Sequence, residues 1–439
     1  MSDQRDRPIE KSFTSRVVIP KTNFESVDYY LPPSKSHMIR LLAISSINKG
    51  TTDLLVKGSI GNDIKSMISS LQSLGVNVSE VGTDDGAKFT INGIGDQGFT
   101  KLHPEVFCGN SGTALRIIIG LVASMSESVI IAGDESLSNR NNGAILASLQ
   151  QSKVIAEKVT QRYLPINVQG PWFGGETSHK TIVVDCSKSS QPLTSLMIAS
   201  ALFPCDVTLN ITGETVSNRH FMLTQRLCNE CGANITQREA SFDLPKWAPT
   251  LNNEYLIPGD SSIASFAILL AKLHNCPVNL FNWPNIHDLL GNELLHEMAP
   301  SLGISWDGNT ITNISDSDYA VYDLTDCNDL ITPLSAMLAI SGGGRIFGIS
   351  HTIYKESNRI EKTVELLGLF GLTVTIDGDG LVIDGGQVPK SPQQAVNCHN
   401  DHRLFMTAAL LMTKFGGELI GKGLHSIADE EFMRRLGLE

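Results

Sequence analysis

Leu31-Pro32-Pro33-Ser34-Lys35-Ser36-His37-Met38-Ile39-Arg40 runs directly into the apolar stretch Leu41-Leu42-Ala43-Ile44. Each proline fixes its φ and removes a ladder donor, so the pair stops a strand, and a serine at this point can cap the first free N–H groups of a helix. Lys35 and Arg40 then stand on the opening turns, where unpaired backbone donors and aligned peptide dipoles favour an anion. Taken singly, this is an ordinary capped helix with two solvated cations. Its meaning changes because the chain builds the same kind of start repeatedly.

Comparable starts are Gly109-Asn110-Ser111-Gly112, Ser187-Lys188-Ser189-Ser190, Gly259-Asp260-Ser261-Ser262, Asp326-Cys327-Asn328-Asp329 and His399-Asn400-Asp401-His402. Each precedes a nearly all-apolar run, such as Ile117-Ile118-Ile119 or Phe266-Ala267-Ile268-Leu269-Leu270. Helices apolar on every side are buried within their domain. Six buried helices can aim their positive ends at one cleft. Routine capping gives no reason for Lys35, Arg40, Arg116, Lys188 and Arg403 to gather at these ends against their mutual repulsion, whereas a shared anionic ligand does.

A second series lies out of phase with the first. Helix stops at Leu74-Gly75, Cys231-Gly232, Leu302-Gly303, Phe370-Gly371 and Leu436-Gly437, with a weaker copy near Ser152-Lys153-Val154, recur every 65 to 80 residues or so, roughly the size of a repeated supersecondary unit. Most lead into a strand, a tight turn such as Asp84-Asp85-Gly86 or Asp377-Gly378-Asp379-Gly380, and another strand. After Cys231-Gly232 the strand is expected at Ala233-Asn234-Ile235. The last copy stops with the chain, so its missing strand is expected from Arg16-Val17-Val18-Ile19, which places both termini in one domain.

Composition bounds the answer. A chain of 439 residues with 41% hydrophobic and 18% charged residues suits two or three globular domains. A net charge of −12 argues against general nucleic-acid affinity, which needs a basic face. Apolar runs fall short of the roughly 18 to 20 residues that span a bilayer, and the N-terminal segment lacks a signal-type apolar region, so a cytoplasmic protein that contacts no membrane is expected. The eight scattered cysteines read as reduced, buried thiols. Cys228 and Cys231 have C-x-x-C spacing without a second Cys or His pair nearby, so no metal site is expected.

With these residues in hand, the chain resembles the enolpyruvyl transferase family. Pro33-Ser34-Lys35-Ser36, Gly109-Asn110-Ser111-Gly112-Thr113, Arg140, Ser189-Ser190-Gln191, Gly259-Asp260, Asp329, Lys355-Glu356-Ser357-Asn358-Arg359 and Asn400-Asp401-His402-Arg403 carry the resemblance in order along nearly the whole length. It implies an α/β fold of two domains with six βαβαββ units, three per domain, and the active site in the cleft between them. The expected division is residues 1–32 plus 258–439 for one domain and 33–257 for the other.

The implied reaction moves the carboxyvinyl group of phosphoenolpyruvate to an acceptor hydroxyl and releases phosphate, without metal or organic cofactor. The nearest branch uses the 5-hydroxyl of shikimate 3-phosphate, in the shikimate pathway. Two phosphorylated anions need a dense cationic pocket, the acceptor hydroxyl needs a base, and the methylene carbon needs an acid. By resemblance, Lys35, Gly112, Arg140, Gln191, Arg359 and Arg403 hold phosphoenolpyruvate, and Ser36, Arg40, Ser189, Ser190, Ser217, Asp329 and Lys355 hold the acceptor. Asp329 is the expected base, Glu356 the proton donor or relay, and Lys35 a proton shuttle or charge neutraliser. Lys355, Glu356 and Arg359 are expected on adjacent turns of one helix. The partners are thus small anionic substrates, and the chain is expected to act as a monomer.

Departures from the family pattern gather around the acceptor. Asn218-Arg219-His220 follows Ser217, where a proline and a tyrosine are usual. His351 replaces an asparagine that bonds acceptor hydroxyls, Asn141 and Asn328 replace prolines, and His425 replaces a lysine. Two alternatives therefore stand beside the shikimate reading. One is transfer to another phosphorylated alcohol, such as a nucleotide or sugar phosphate. The other is an inactive anion-binding relative, against which the retention of Asp329, Glu356 and the arginines speaks.

Overall fold

The computed structural model describes residues 14–285, 290, 294–314 and 317–438. Two hydrophobic cores organise them. One gathers residues from Met38 to Ile257 together with Leu290, and the other joins Ile19, Val27, Tyr29 and Leu31 to residues from Ile263 to Leu438. These cores define the two halves of the molecule, and we propose that they correspond to domains 33–257 and 1–32 plus 258–439.

Each half is built from three βα-rich units, and among the described residues there are five four-stranded sheets and one three-stranded sheet. The unit from Glu105–Phe107 to Ile166–Gln169 shows the pattern. Its first strand pairs in parallel with Val129–Ala132, across the Gly112–Val122 helix, and the antiparallel strands Ile166–Gln169 and Ile155–Lys158 complete the sheet. A parallel pair needs such a crossover, and the largely apolar helix supplies it while burying itself beneath the sheet.

Two units take their first strand from a sequence-distant part of the same half. Glu254–Leu256 runs parallel to Thr51–Lys57 in the first core, and Val27–Tyr30 runs parallel to Val278–Phe281 in the second. The chain therefore passes between halves twice. The passages lie side by side, with a bridge between Pro33 and Gly259 and hydrogen bonds from Ser34 N to Pro258 O (2.7 Å) and Asp260 N to Pro32 O (2.8 Å). In the last unit, Arg16–Ile19 pairs antiparallel with Gly417–Ile420, so the N-terminal strand completes the C-terminal sheet.

The six polar starts lead into the helices Lys35–Ile47, Gly112–Val122, Gln191–Ala199, Ala264–His274, Ile331–Ala339 and His402–Met412. All are buried over most of their length, and the three in each half pack against one another. At Gly120 an added Cβ would lie 2.5 Å from Ser195 Oγ, so a larger residue there would push the Gly112–Val122 and Gln191–Ala199 helices apart. Ser34 and Ser111 accept from backbone N–H groups as caps, and Asp401 does the same for the sixth helix. Asp260 caps the short turn Ser261–Ile263 that leads into the fourth.

Two local expectations need correction. The strand after Cys231-Gly232 falls at Thr236–Gln237, because Asn234 takes a left-handed φ of 55° and the Asn229 side chain holds Ile235 by N–H and C=O together. Lys355 and Glu356 are not helical. Asn358 caps the helix Arg359–Leu369, and both residues sit on the turn before it.

Candidate active site

Five of the six helix starts face a cavity of about 410 Å³; the fourth, Gly259-Asp260-Ser261-Ser262, lies off its lining, with Ser262 Oγ accepting from Arg403 Nη2. From the first half, Lys35, Ser36 and Arg40 line it beside Gly112, Arg140, Ser189, Ser190, Gln191 and Ser217; from the second come Asp329, Lys355 and Glu356. Six cationic side chains line it against four carboxylates, in a chain whose net charge is −12. A larger groove of about 1330 Å³ opens behind the two crossing strands, but it carries four cations against five carboxylates and none of these helix starts. Local charge therefore singles out the smaller cavity for anions.

Gly112 matters at its helix start because an added Cβ would meet Arg116 Nη1 at 2.9 Å and Arg140 Nη1 at 3.3 Å. Arg140 is held by Asn110 Oδ1 at 2.6 Å, and Arg116 donates to the Gln191 side chain and to the carbonyls of Gly112 and Asn141. Burial pushes Arg116 down to about 10, helped by the neighbouring Arg140 charge. Arg40, 1% exposed, donates to Thr224 Oγ1, Ser36 O and His220 O, and burial lowers it to about 10 as well. Neither guanidinium has a carboxylate partner among the described residues, which leaves each a strong site for an incoming anion.

Lys35 contrasts with them. Its Nζ lies 2.9 Å from Asp63 Oδ2, on the first turn of the Asn62–Ser73 helix. Burial pulls the ammonium down, but Asp63, Glu356 and Asp329 outweigh it and hold it above its ordinary value. Across the cavity, Asp329 binds Arg359 Nη1 at 2.8 Å and Arg403 Nη2 at 3.1 Å, and Glu356 binds Arg359 Nη2 at 2.7 Å. Burial raises both carboxylates. Arg403, Lys355 and Arg359 nevertheless drive Asp329 well below the usual range, and Arg359 and Arg140 do the same to Glu356. Burial lowers Lys355, against the pull of Asp329.

Of the residues expected from sequence, the cavity brings together Lys35, Ser36, Arg40, Gly112, Arg140, Ser189, Ser190, Gln191, Ser217, Asp329, Lys355 and Glu356. Arg359 and Arg403 are absent from its lining. Each is 1% exposed, and they form a floor beneath Asp329 and Glu356, with Asp401 binding Arg359 Nε at 2.9 Å. His425 is also off the lining, packed between Phe405 and Phe432.

Sequence reasoning gave no role to Asp63, or to Asn110 and His402, although the last two stand in the motifs that carry the resemblance. Asp63 has an early signal, an acidic residue on the first turn after Gly61, but nothing local connects it with Lys35. His220 and His351 face the cavity from opposite halves, each with one buried ring nitrogen lacking a partner, and burial pushes them down to about 3 and about 4.

The EPSP synthase (3-phosphoshikimate 1-carboxyvinyltransferase) family profile matches residues 27–428. The chain is 27% identical over 410 residues to a 3-phosphoshikimate 1-carboxyvinyltransferase of Methanothermobacter thermautotrophicus, covering 92% of this chain and 94% of the relative. It is 26% identical over 391 residues to the enzyme of that name from Cronobacter sakazakii, covering 87% and 88%. Among solved structures, EPSP synthase from Acinetobacter baumannii superposes with a TM-score of 0.73 at 19% identity over 96% of this chain and 97% of that one. The enolpyruvyl transferase NikO from Streptomyces tendae gives 0.72 at 11% identity over 96% and 97%, so the two-domain fold extends to it. Matched along nearly its whole length, the chain belongs to the EPSP synthase (3-phosphoshikimate 1-carboxyvinyltransferase) family.

Proposed function

We propose that this chain transfers the carboxyvinyl group of phosphoenolpyruvate to the 5-hydroxyl of shikimate 3-phosphate and releases phosphate. The observation that carries this reading is the cavity in which a family member keeps Lys35, Arg40, Arg140, Asp329, Lys355 and Glu356 together. Arg140, Lys35, Gly112 and Gln191 bind phosphoenolpyruvate, with Arg359 and Arg403 beneath. Ser36, Arg40, Ser189, Ser190 and Ser217 take the acceptor phosphate, and Asp329 and Lys355 its hydroxyls.

In the addition step Asp329 takes the hydroxyl proton, the acceptor oxygen bonds to C2 of phosphoenolpyruvate, and a proton from Lys35 Nζ reaches the methylene carbon. The adduct then breaks its C2–O bond to phosphate, the Lys35 amine left neutral by the addition takes back a methyl proton to restore the double bond, and Asp329 gives its proton to the departing phosphate. Lys35 suits the donor role because neighbouring carboxylates keep it protonated, whereas Arg359 and Arg140 hold Glu356 ionised and suit it to relaying a proton. Two bound anions raise the proton affinity of both carboxylates by like-charge proximity, which makes Asp329 a stronger base once the substrates are in place.

The site is assembled from the two halves of one chain, which supports a monomer as the working unit. All eight cysteines are buried and none is joined in a disulfide, which supports a reducing, cytoplasmic compartment. No described helix is long and apolar enough to cross a membrane. The test is phosphate release from phosphoenolpyruvate with a panel of shikimate 3-phosphate, nucleotides and sugar phosphates. Turnover at about 1 to 1,000 per second with shikimate 3-phosphate is expected. Turnover confined to another acceptor would overturn the assignment.

A further inference from the structure

Ser217 belongs to the first half, at the start of the Asn218–Glu230 helix, yet its surroundings come from the second. Its backbone is left-handed, with φ 56° and ψ 46°, a conformation that a residue with a Cβ holds only when its environment imposes it. The imposing bonds cross the cleft. Ser217 N donates to Thr325 O at 3.3 Å, Asn218 N donates to Asp326 Oδ1 at 2.6 Å, and Asn328 Nδ2 donates to Ser217 Oγ at 2.9 Å. Asn328 is 1% exposed, and its Oδ1 is buried without a partner. Its neighbours Cys327 and Leu330 pack in the second core.

We propose that Asn328 is a positioning residue for the acceptor phosphate, acting through Ser217 from the opposite half; this rests on the assignment of the cavity to shikimate 3-phosphate. An amide nitrogen can only donate, so the Asn328 bond occupies a lone pair of Ser217 Oγ and leaves the hydroxyl hydrogen to point elsewhere. Ser217 lines the cavity, and its hydrogen is thereby directed to a phosphate oxygen, which can only accept. Ser190 Oγ donates to Ser217 O at 3.1 Å and braces the same turn from below. The acceptor-phosphate subsite is thus complete only while the 325–328 loop of the second half is docked. Phosphate recognition and cleft closure become one event, at a residue where the family pattern has proline.

The experiment measures shikimate 3-phosphate binding by calorimetry, together with KM for each substrate, kcat and Tm, in wild type, Asn328→Ala, Asn328→Asp, Ser217→Ala and the Asn328→Ala/Ser217→Ala double variant. The expected result is a shikimate 3-phosphate Kd raised about 10-fold in Asn328→Ala, the scale of one hydrogen bond to a charged group. A larger rise is expected in Asn328→Asp, whose carboxylate accepts and turns the serine hydrogen inward. The phosphoenolpyruvate KM and kcat at saturating acceptor should stay within about twofold, and Asn328→Ala should have no further effect once Ser217 is alanine. An unchanged Kd in both Asn328 variants would overturn the proposal. So would equal weakening of both substrates with a fall in Tm, or an undiminished Asn328→Ala effect in the Ser217→Ala background. Failure of the wild type itself to bind shikimate 3-phosphate would overturn the functional assignment as well.

Discussion

Arg359→Met is the most informative single change, because Arg359 is 1% exposed and touches three carboxylates. Nη1 reaches Asp329 at 2.8 Å, Nη2 reaches Glu356 at 2.7 Å, and Nε reaches Asp401 at 2.9 Å. The three do not lose equally. Asp329 keeps Arg403 at 3.1 Å, and Glu356 keeps Arg140 at 3.9 Å. Asp401, 0% exposed, keeps among the described residues two neutral donors, Ser357 Oγ at 3.1 Å and Arg403 N at 2.8 Å. The cost is therefore close to that of one broken buried pair, about 3 to 5 kcal/mol, rather than three times that. Urea unfolding at pH 8 should show this as a lower midpoint with an unchanged slope. Asp401→Asn alone should cost a similar amount, and the double variant should recover most of it, since the buried charges go together. Burial raises Asp329 and Glu356, but Arg359 helps to hold both well below the ordinary carboxylate range; their stabilisation is present above that range and is lost progressively as pH falls below it toward their depressed native values. Wild type should therefore lose more stability than Arg359→Met as the pH is lowered through and below the ordinary carboxylate range, about 4. A double variant whose loss equals the sum of the singles would refute this account of the floor.

Lys35→Met and Asp329→Asn should each reduce turnover at least about 100-fold, the lower range for losing an acid or base, with unchanged far-ultraviolet circular dichroism. Retained activity in both would move the chemistry elsewhere. Burial depresses His220 to about 3 and His351 to about 4, so between those values and about 6.5 the unfolded chain binds protons that the folded chain does not. Stability should fall as pH drops below about 6.5, by about 1.4 kcal/mol per pH unit for each histidine, and His351→Asn should flatten that slope in urea titrations. Small-angle scattering should show contraction when both substrates bind, because each anion neutralises cations facing the cleft; an unchanged radius of gyration would count against closure. A fragment of residues 33–257 contains both Thr51–Lys57 and its partner strand Glu254–Leu256, so it should fold cooperatively alone, whereas one ending at residue 250 should be measurably less stable.

What the chain discloses by itself depends on the range of the interaction. Caps and stops are local: Ser34, Ser111, Asp260 and Asp401 all cap as their side chains dictate, and Gly75, Gly303 and Gly371 take the left-handed φ that ends a helix. Periodicity carried further, to six units and a completing strand at Arg16–Ile19, because an unfinished sheet edge needs a partner. The pairing of sequence-distant strands within each half was not legible, since Val27 and Val278 carry no mark of it. The same applies to Lys35 and Asp63, whose contact depends on how two helices pack. Arg359 and Arg403 match the family pattern residue for residue, yet only their burial reveals that carboxylates already occupy them.

The paired passage at Pro32-Pro33 and Pro258-Gly259 has a mechanical consequence. A single connecting strand would let one half spin on the other like a door on one pin. Two antiparallel connections, tied by Ser34 N to Pro258 O and Asp260 N to Pro32 O, act as a flat strap that bends in one direction and resists torsion. Whatever the angle of opening, the walls bearing Lys35 and Asp329 return to the same alignment, so the two reactants meet in one relative orientation on every cycle.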